Sequence, residues 1–152
     1  MTIIERLRQY KELDPHKIAL IVDDKKYTYG DLYDAILSID INDTSRIVNV
    51  AQTKESPKHI VALIQSQSFV EQLVQWLGGL YTGYIPMVCH NEMDTEYVEE
   101  LARIIAYKGV APLADFGVLT SGTTGRPKPL WRSESSWRAV SYTHLDAADE
   151  AR

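Results

Sequence analysis

Ile3, Leu7 and Tyr10 open the chain at helical spacing, with charged residues between them. Asp14-Pro15 closes that helix, because a residue before proline avoids the helical region. Branched apolar residues crowd positions 17–22, then come Asp23-Asp24-Lys25-Lys26 and Tyr27-Thr28-Tyr29, a pattern that predicts a hairpin around a charged turn. Thr28, with Asp31 three positions on, forms a variant capping box for a helix carrying Leu32, Ile36 and Leu37. Residues 42–45 read as a loop and 46–50 as a strand.

The middle of the chain is more strongly patterned. Ile60-Val61-Ala62-Leu63-Ile64 is apolar without a break, as in a strand buried on both faces. After a turn at 66–68, Phe69, Leu73, Trp76 and Leu80 lie on one stripe of a helix that Gly83 stops. Residues 84–88 resume as a strand. Asp94 caps a second long helix with Tyr97, Val98, Leu101, Ile104 and Ile105 on one face, and Gly109 ends it. Residues 116–119 form a further strand. Strands alternating with helices predict an α/β fold, a layered sheet flanked by helices. The last stretch, 141–152, continues none of these patterns and resembles translated adaptor sequence. The expected division is therefore one partial domain over 1–140 and a non-native or disordered tail over 141–152.

Composition narrows the function classes. With 152 residues, 45% hydrophobic and 24% charged, the chain can enclose one modest core. Sixteen basic against 21 acidic residues give a net charge of −5, which argues against general nucleic-acid binding. A single cysteine excludes a disulfide framework. No apolar run is long enough for a membrane span and no secretory signal opens the chain, so the expected location is cytoplasmic.

The chemistry concentrates in Thr120-Ser121-Gly122-Thr123-Thr124-Gly125-Arg126-Pro127-Lys128. Glycines let the backbone approach oxygens closely, clustered N–H and hydroxyl groups donate to them, and Lys128 adds a point charge. The stretch suits a polyphosphate. Between Arg126 and Arg138 there are four cations and one anion, Glu134, in a chain that is otherwise acidic. Gly117 and Gly122 have the Walker spacing, but Thr123 stands where that motif needs lysine, so a P-loop NTPase is disfavoured.

The order Thr-Ser-Gly-Thr-Thr-Gly-x-Pro-Lys closely resembles the phosphate-binding signature of the adenylate-forming (AMP-binding) superfamily, which includes acyl-CoA synthetases and peptide-synthetase adenylation domains. Two weaker likenesses precede it in register: residues 19–32, similar to the family's opening hairpin and helix, and Leu77-Gly78-Gly79-Leu80-Tyr81-Thr82-Gly83-Tyr84-Ile85-Pro86. Pro129 departs from the family's usual glycine and Gly117 from its usual aliphatic residue. The family's adenosine, ribose and catalytic-lysine segments have no counterpart, so the resemblance implies an N-terminal piece that is inactive alone.

What the resemblance implies is an ATP- and Mg²⁺-dependent ligase. It would activate a small carboxylic acid as its adenylate, then pass the acyl group to coenzyme A or to the phosphopantetheine of a carrier protein. Thr120, Ser121, Gly122, Thr123, Thr124, Gly125 and Lys128 would bind the nucleotide's phosphates, with Lys128 catalytic as pyrophosphate leaves. The rival is a non-catalytic truncated paralogue or interaction module.

Other candidates have plainer readings. Cys89 and His90 are adjacent on a strand and point to opposite faces, so they cannot pair, and Cys89 reads as a buried thiol. His16, His59 and His144 lack metal-ligand spacing. Asp23-Asp24 belongs to a turn and Glu99-Glu100 to a solvated helix face. Trp76 reads as core, whereas Trp131 and Trp137 could pack beneath the signature or face a substrate.

Overall fold

The computed structural model describes residues 1–120 and 128–138. Helix α1 (Ile3–Leu13) begins at a capping box in which Thr2 accepts from the Glu5 amide and Glu5 accepts from the Thr2 amide. Strands β1 (Ile18–Val22) and β2 (Lys25–Thr28) pair antiparallel as a separate two-stranded sheet. Their turn is tighter than the charge run suggests. Only Asp23 and Asp24 turn the chain, both at positive φ, which matches the twist of a two-residue hairpin. Lys25 and Lys26 already belong to β2, and Tyr29 begins the next helix.

Helix α2 (Tyr29–Ser38) starts at the reciprocal Thr28–Asp31 capping box. It buries Leu32, Tyr33 and Ile36, while Leu37 stays half exposed because its angular position falls off that face. Residues read as loop form a short helix instead, α3 (Ile41–Thr44), because Asp40 caps the Asn42 amide and Ile41 finds a fully buried site.

A five-stranded sheet follows, in the order β3 (Arg46–Asn49), β4 (Ile60–Ile64), β5 (Ile85–Val88), β6 (Phe116–Leu119) and β7 (Pro129–Arg132). The central strands β4, β5 and β6 are parallel, and each edge strand is antiparallel to its neighbour. The sheet is layered between helices, as the alternating pattern predicts. Val61, Leu63, Ile85 and Met87 point to the face covered by Val98, Leu101 and Ile105 of α5 (Thr95–Lys108). The opposite face meets α4 (Phe69–Thr82), where Gly79 approaches Pro86 of β5. A second cluster, Leu32, Ile36, Leu77 and Leu80, joins α2 to α4 and receives Ile4 and Leu7 of α1. Burying a side chain such as Leu63 stabilises the fold by about 1.5–3 kcal/mol.

Two helical stripes differ in detail from the spacing argument. Phe69 sits in the first turn of α4, largely exposed, and the buried edge runs through Gln75, Leu77, Gly78, Gly79 and Leu80. Ile104 on α5 is likewise half exposed, with Ala102 buried in its stead. Gly83 caps α4 in the left-handed region at φ 86°, where a side chain would be strained.

Candidate functional site

Strand β6 ends at Leu119 and β7 begins at Pro129, so neighbouring antiparallel strands hold both ends of the hydroxyl- and glycine-rich stretch. Two hydrogen bonds join those ends. The Thr120 amide donates to the Lys128 carbonyl at 3.0 Å, and the Lys128 amide donates to the Thr120 hydroxyl oxygen at 3.1 Å. Both residues are exposed. The candidate phosphate residues Ser121, Gly122, Thr123, Thr124 and Gly125 lie outside the described residues, as do Arg126 and Pro127. The stretch connects strand to strand, not strand to helix, which is a second ground against a P-loop arrangement.

Pro129 fits this geometry without cost to the ladder. Thr120 and Lys128 form a hydrogen-bonded pair, so the next pair, Leu119 opposite Pro129, is of the non-hydrogen-bonded kind. The N–H that proline lacks would have pointed away from β6. The other departure, Gly117, is explained by Trp131. A Cβ at 117 would lie 2.8 Å from Trp131 Cζ3 and also against Met87 Cε. Trp131 thus packs on the core face of the sheet, beneath the strand that leads to the signature.

The far end of the β6–β7 pair is fixed by Asp115. Its Oδ1 accepts from Lys58 Nζ at 2.9 Å, its Oδ2 from the Glu134 amide at 2.8 Å, and its own amide donates to the Arg132 carbonyl at 2.8 Å. Glu134 opens a helical stretch, 134–138, and its carboxylate accepts from the Ile3 amide at the start of α1. No sequence spacing pointed to this cluster. Its members are 57 and 19 residues from Asp115, and only the topology brings them together.

A cleft of about 750 Å³ opens at the carboxyl ends of β5 and β6, beside Thr120. Its walls include Trp76, Phe116, Trp137, Val88 and His90. Phe116 stands edge-on to both Trp76 and Trp137, with ring centroids 5.4 and 5.9 Å away. Trp76 is partly buried rather than fully enclosed, and Trp137 is 52% exposed.

Cys89 is fully buried, and desolvation pushes its thiol up to about 11, so it is no nucleophile at neutral pH. His90 accepts from the Glu92 amide through Nδ1. Glu99 is not simply solvated, because Arg46 of β3 grips it through Nε and Nη2 at 2.7 and 3.1 Å. That bond holds the Glu99 carboxyl below its ordinary pKa. His16 is exposed, His59 is partly buried, and His144 lies outside the described residues. Among the described residues no three His, Cys, Asp or Glu side chains converge on a metal site, no ion pair involves Lys128, and no helix is long and apolar enough to cross a membrane.

No family model matches the chain. Curated relatives do. Over 162 residues, covering 90% of this chain, it is 25% identical to a putative long chain fatty acid-CoA ligase, VraA, of Staphylococcus aureus. The similarly described protein of Staphylococcus haemolyticus is 27% identical over 161 residues and 91% of the chain. The chain is thus similar, over about nine-tenths of its length, to proteins described as fatty acid-CoA ligases. Solved structures agree at the level of fold. O-succinylbenzoate coenzyme A synthetase (MenE) of Bacillus subtilis, in complex with AMP, superposes with a TM-score of 0.57 over 90% of this chain at 18% identity. The N-terminal subdomain of Klebsiella oxytoca NpsA gives 0.51 over 85% at 16% identity. The chain spans about a third of the length of these curated relatives, 33% of each VraA protein, and covers 44% of the MenE chain and 39% of the NpsA chain.

Proposed function

We propose that this chain supplies the polyphosphate-binding segment of an AMP-forming acid–thiol ligase. The carrying observation is that the signature's two ends, Thr120 and Lys128, are bonded to each other at the mouth of a strand pair. Lys128 forms no ion pair among the described residues, which leaves its ammonium able to meet an anion. Curated relatives described as fatty acid-CoA ligases support the same reading.

In this reading Thr120, Ser121, Gly122, Thr123, Thr124, Gly125 and Lys128 hold the phosphates of ATP while a small carboxylic acid displaces pyrophosphate. A carboxylate is a poor acyl donor, because its leaving group is oxide, and adenylation exchanges that for a stabilised phosphate. Lys128 opposes the charge that gathers on the departing pyrophosphate, a preorganised contribution of the kind that lowers barriers most. Coenzyme A or a carrier's phosphopantetheine then takes the acyl group. Mg²⁺ enters as the counter-ion of ATP, and the described residues assign it no ligand. The same reading makes 1–140 the N-terminal portion of an AMP-binding domain and 141–152 a tail without core.

The test is binding of ATP and pyrophosphate to the 152-residue chain beside its Lys128→Ala variant. Equal retention of both ligands by the variant would sink the reading. Carboxylate-dependent ATP–pyrophosphate exchange should stay at the no-enzyme level with these residues alone.

A further inference from the structure

We infer that Thr120 serves the signature as a positioning residue acting through Lys128, its hydroxyl oxygen clasping the Lys128 amide. The inference rests on the polyphosphate reading above and gives one of its residues a different task.

In an ordinary hydrogen-bonded pair of antiparallel strands, each residue's amide donates to the other's carbonyl. Here only one of those two bonds is of that kind. The Thr120 amide reaches the Lys128 carbonyl at 3.0 Å, but the return bond, from the Lys128 amide, ends on the Thr120 hydroxyl oxygen at 3.1 Å. The side chain thus replaces the main chain at the last rung, where the backbone leaves the ladder for the signature.

Three consequences follow from the inventory of donors. The Lys128 amide proton is committed, so Lys128 can offer an anion its ammonium alone. The Thr120 hydroxyl accepts through one lone pair and keeps its own proton free to donate. Finally, the Lys128 backbone is fixed to the end of β6, so its long side chain departs from a set point and loses less freedom on meeting a ligand. Threonine and serine both supply the acceptor. Valine has threonine's shape and supplies none.

Amide hydrogen exchange at Lys128 and calorimetric titration with inorganic pyrophosphate should be measured on the 152-residue chain, on Thr120→Ser and on Thr120→Val. Thr120→Ser should match the parent in both. Thr120→Val should exchange the Lys128 amide faster and weaken pyrophosphate about fivefold, the size of one ordinary net hydrogen bond. Weakened pyrophosphate with unchanged Lys128 exchange would make Thr120 a direct phosphate donor and overturn the inference. Faster exchange with unchanged affinity would overturn it too, leaving a clasp with no bearing on the ligand. Should the parent chain take up no pyrophosphate, the polyphosphate reading fails, and exchange alone still decides whether the clasp exists.

Discussion

Gly117 and Trp131 face each other across the β6–β7 pair, and the indole fills the space that a side chain at 117 would need. Met87, fully buried on β5, closes the same space from the other side. Its terminal methyl is flexible, but it is enclosed on all sides, and the indole is rigid. Gly117→Val should therefore destabilise the fold by about 1–3 kcal/mol, the usual cost of overpacking. Trp131→Leu, placed in the same chain, should recover a large part of that loss, because the two side chains compete for one volume. Urea midpoints of the two single variants and the double variant check this. Strict additivity would show that the pair is not coupled.

Asp115 offers a test of which bonds secure the far end of the same strand pair. Lys58 and Asp115 are 31% and 26% exposed, so their ion pair alone is worth no more than about 1 kcal/mol. The bond from the Glu134 amide adds a cap at the start of a helical stretch. Asp115→Ala should cost about 1–2 kcal/mol, more than Lys58→Met, because it removes both. Asp115→Asn keeps one acceptor oxygen and should fall between them. Equal losses for Asp115→Ala and Lys58→Met in denaturant melts would assign the whole effect to the ion pair.

The ease with which each feature could be read follows the range of the interaction that makes it. The capping box at Thr28 and the strand 60–64 are local patterns, legible because their causes lie within a few residues. The short helix at Ile41–Thr44 leaves no periodic signal, because a single buried isoleucine and one Asp40 cap decide it. Strand β7 carries an alternating pattern, with Pro129 and Trp131 more buried than Leu130 and Arg132, but four residues starting at a proline argue weakly for a strand. The signature was legible by its order of residues. The clasp between Thr120 and Lys128, and the Asp115 cluster, depend on strand pairing and could not be seen along the chain.

The pH dependence of stability should show two limbs. Glu5 and Asp31 titrate below their ordinary values because the amides of Thr2 and Thr28 donate to them, and Glu99 does so because Arg46 does. A depressed carboxylate stabilises the fold above its unfolded value, here 4.5 for glutamate and 3.8 for aspartate. That contribution fades as pH falls through the lower folded value. Cys89 works the other way. Its folded value is raised from 9.0 to about 11, so the neutral thiol's contribution is complete below pH 9.0 and is lost as pH climbs toward 11. Urea midpoints across pH should fall on both sides. Cys89→Ser should flatten the alkaline limb, and Glu99→Gln the acid one. Thiol labelling at neutral pH should wait on opening of the fold. An alkaline limb unchanged in Cys89→Ser would place its cause elsewhere.

Deleting residues 141–152 should leave the midpoint and cooperativity of unfolding unchanged, since that stretch continues no hydrophobic pattern of the preceding chain. A loss beyond about 1 kcal/mol, the central size of single-site effects, would make the tail part of the folded structure.

The most demanding prediction concerns Lys128 in a ligase of the relatives' length that carries this segment. An ammonium near the β- and γ-phosphates attracts ATP, but charge grows there as pyrophosphate departs, so the attraction is greater in the transition state than in the ground state. Lys128→Ala should accordingly slow adenylation more than it weakens ATP binding. Removing one preorganised donor costs about 2.7–4 kcal/mol, or about 10²–10³ in rate, and the lower end is expected because neighbouring hydroxyls remain. Thioester formation from a supplied acyl-adenylate should be nearly untouched, since pyrophosphate has already gone. An exposed lysine with no such role would change neither step by more than about 0.5 kcal/mol. Presteady-state measurement of the two half-reactions separates these cases. Equal loss in both would point to a damaged fold, and loss in neither would remove Lys128 from the chemistry.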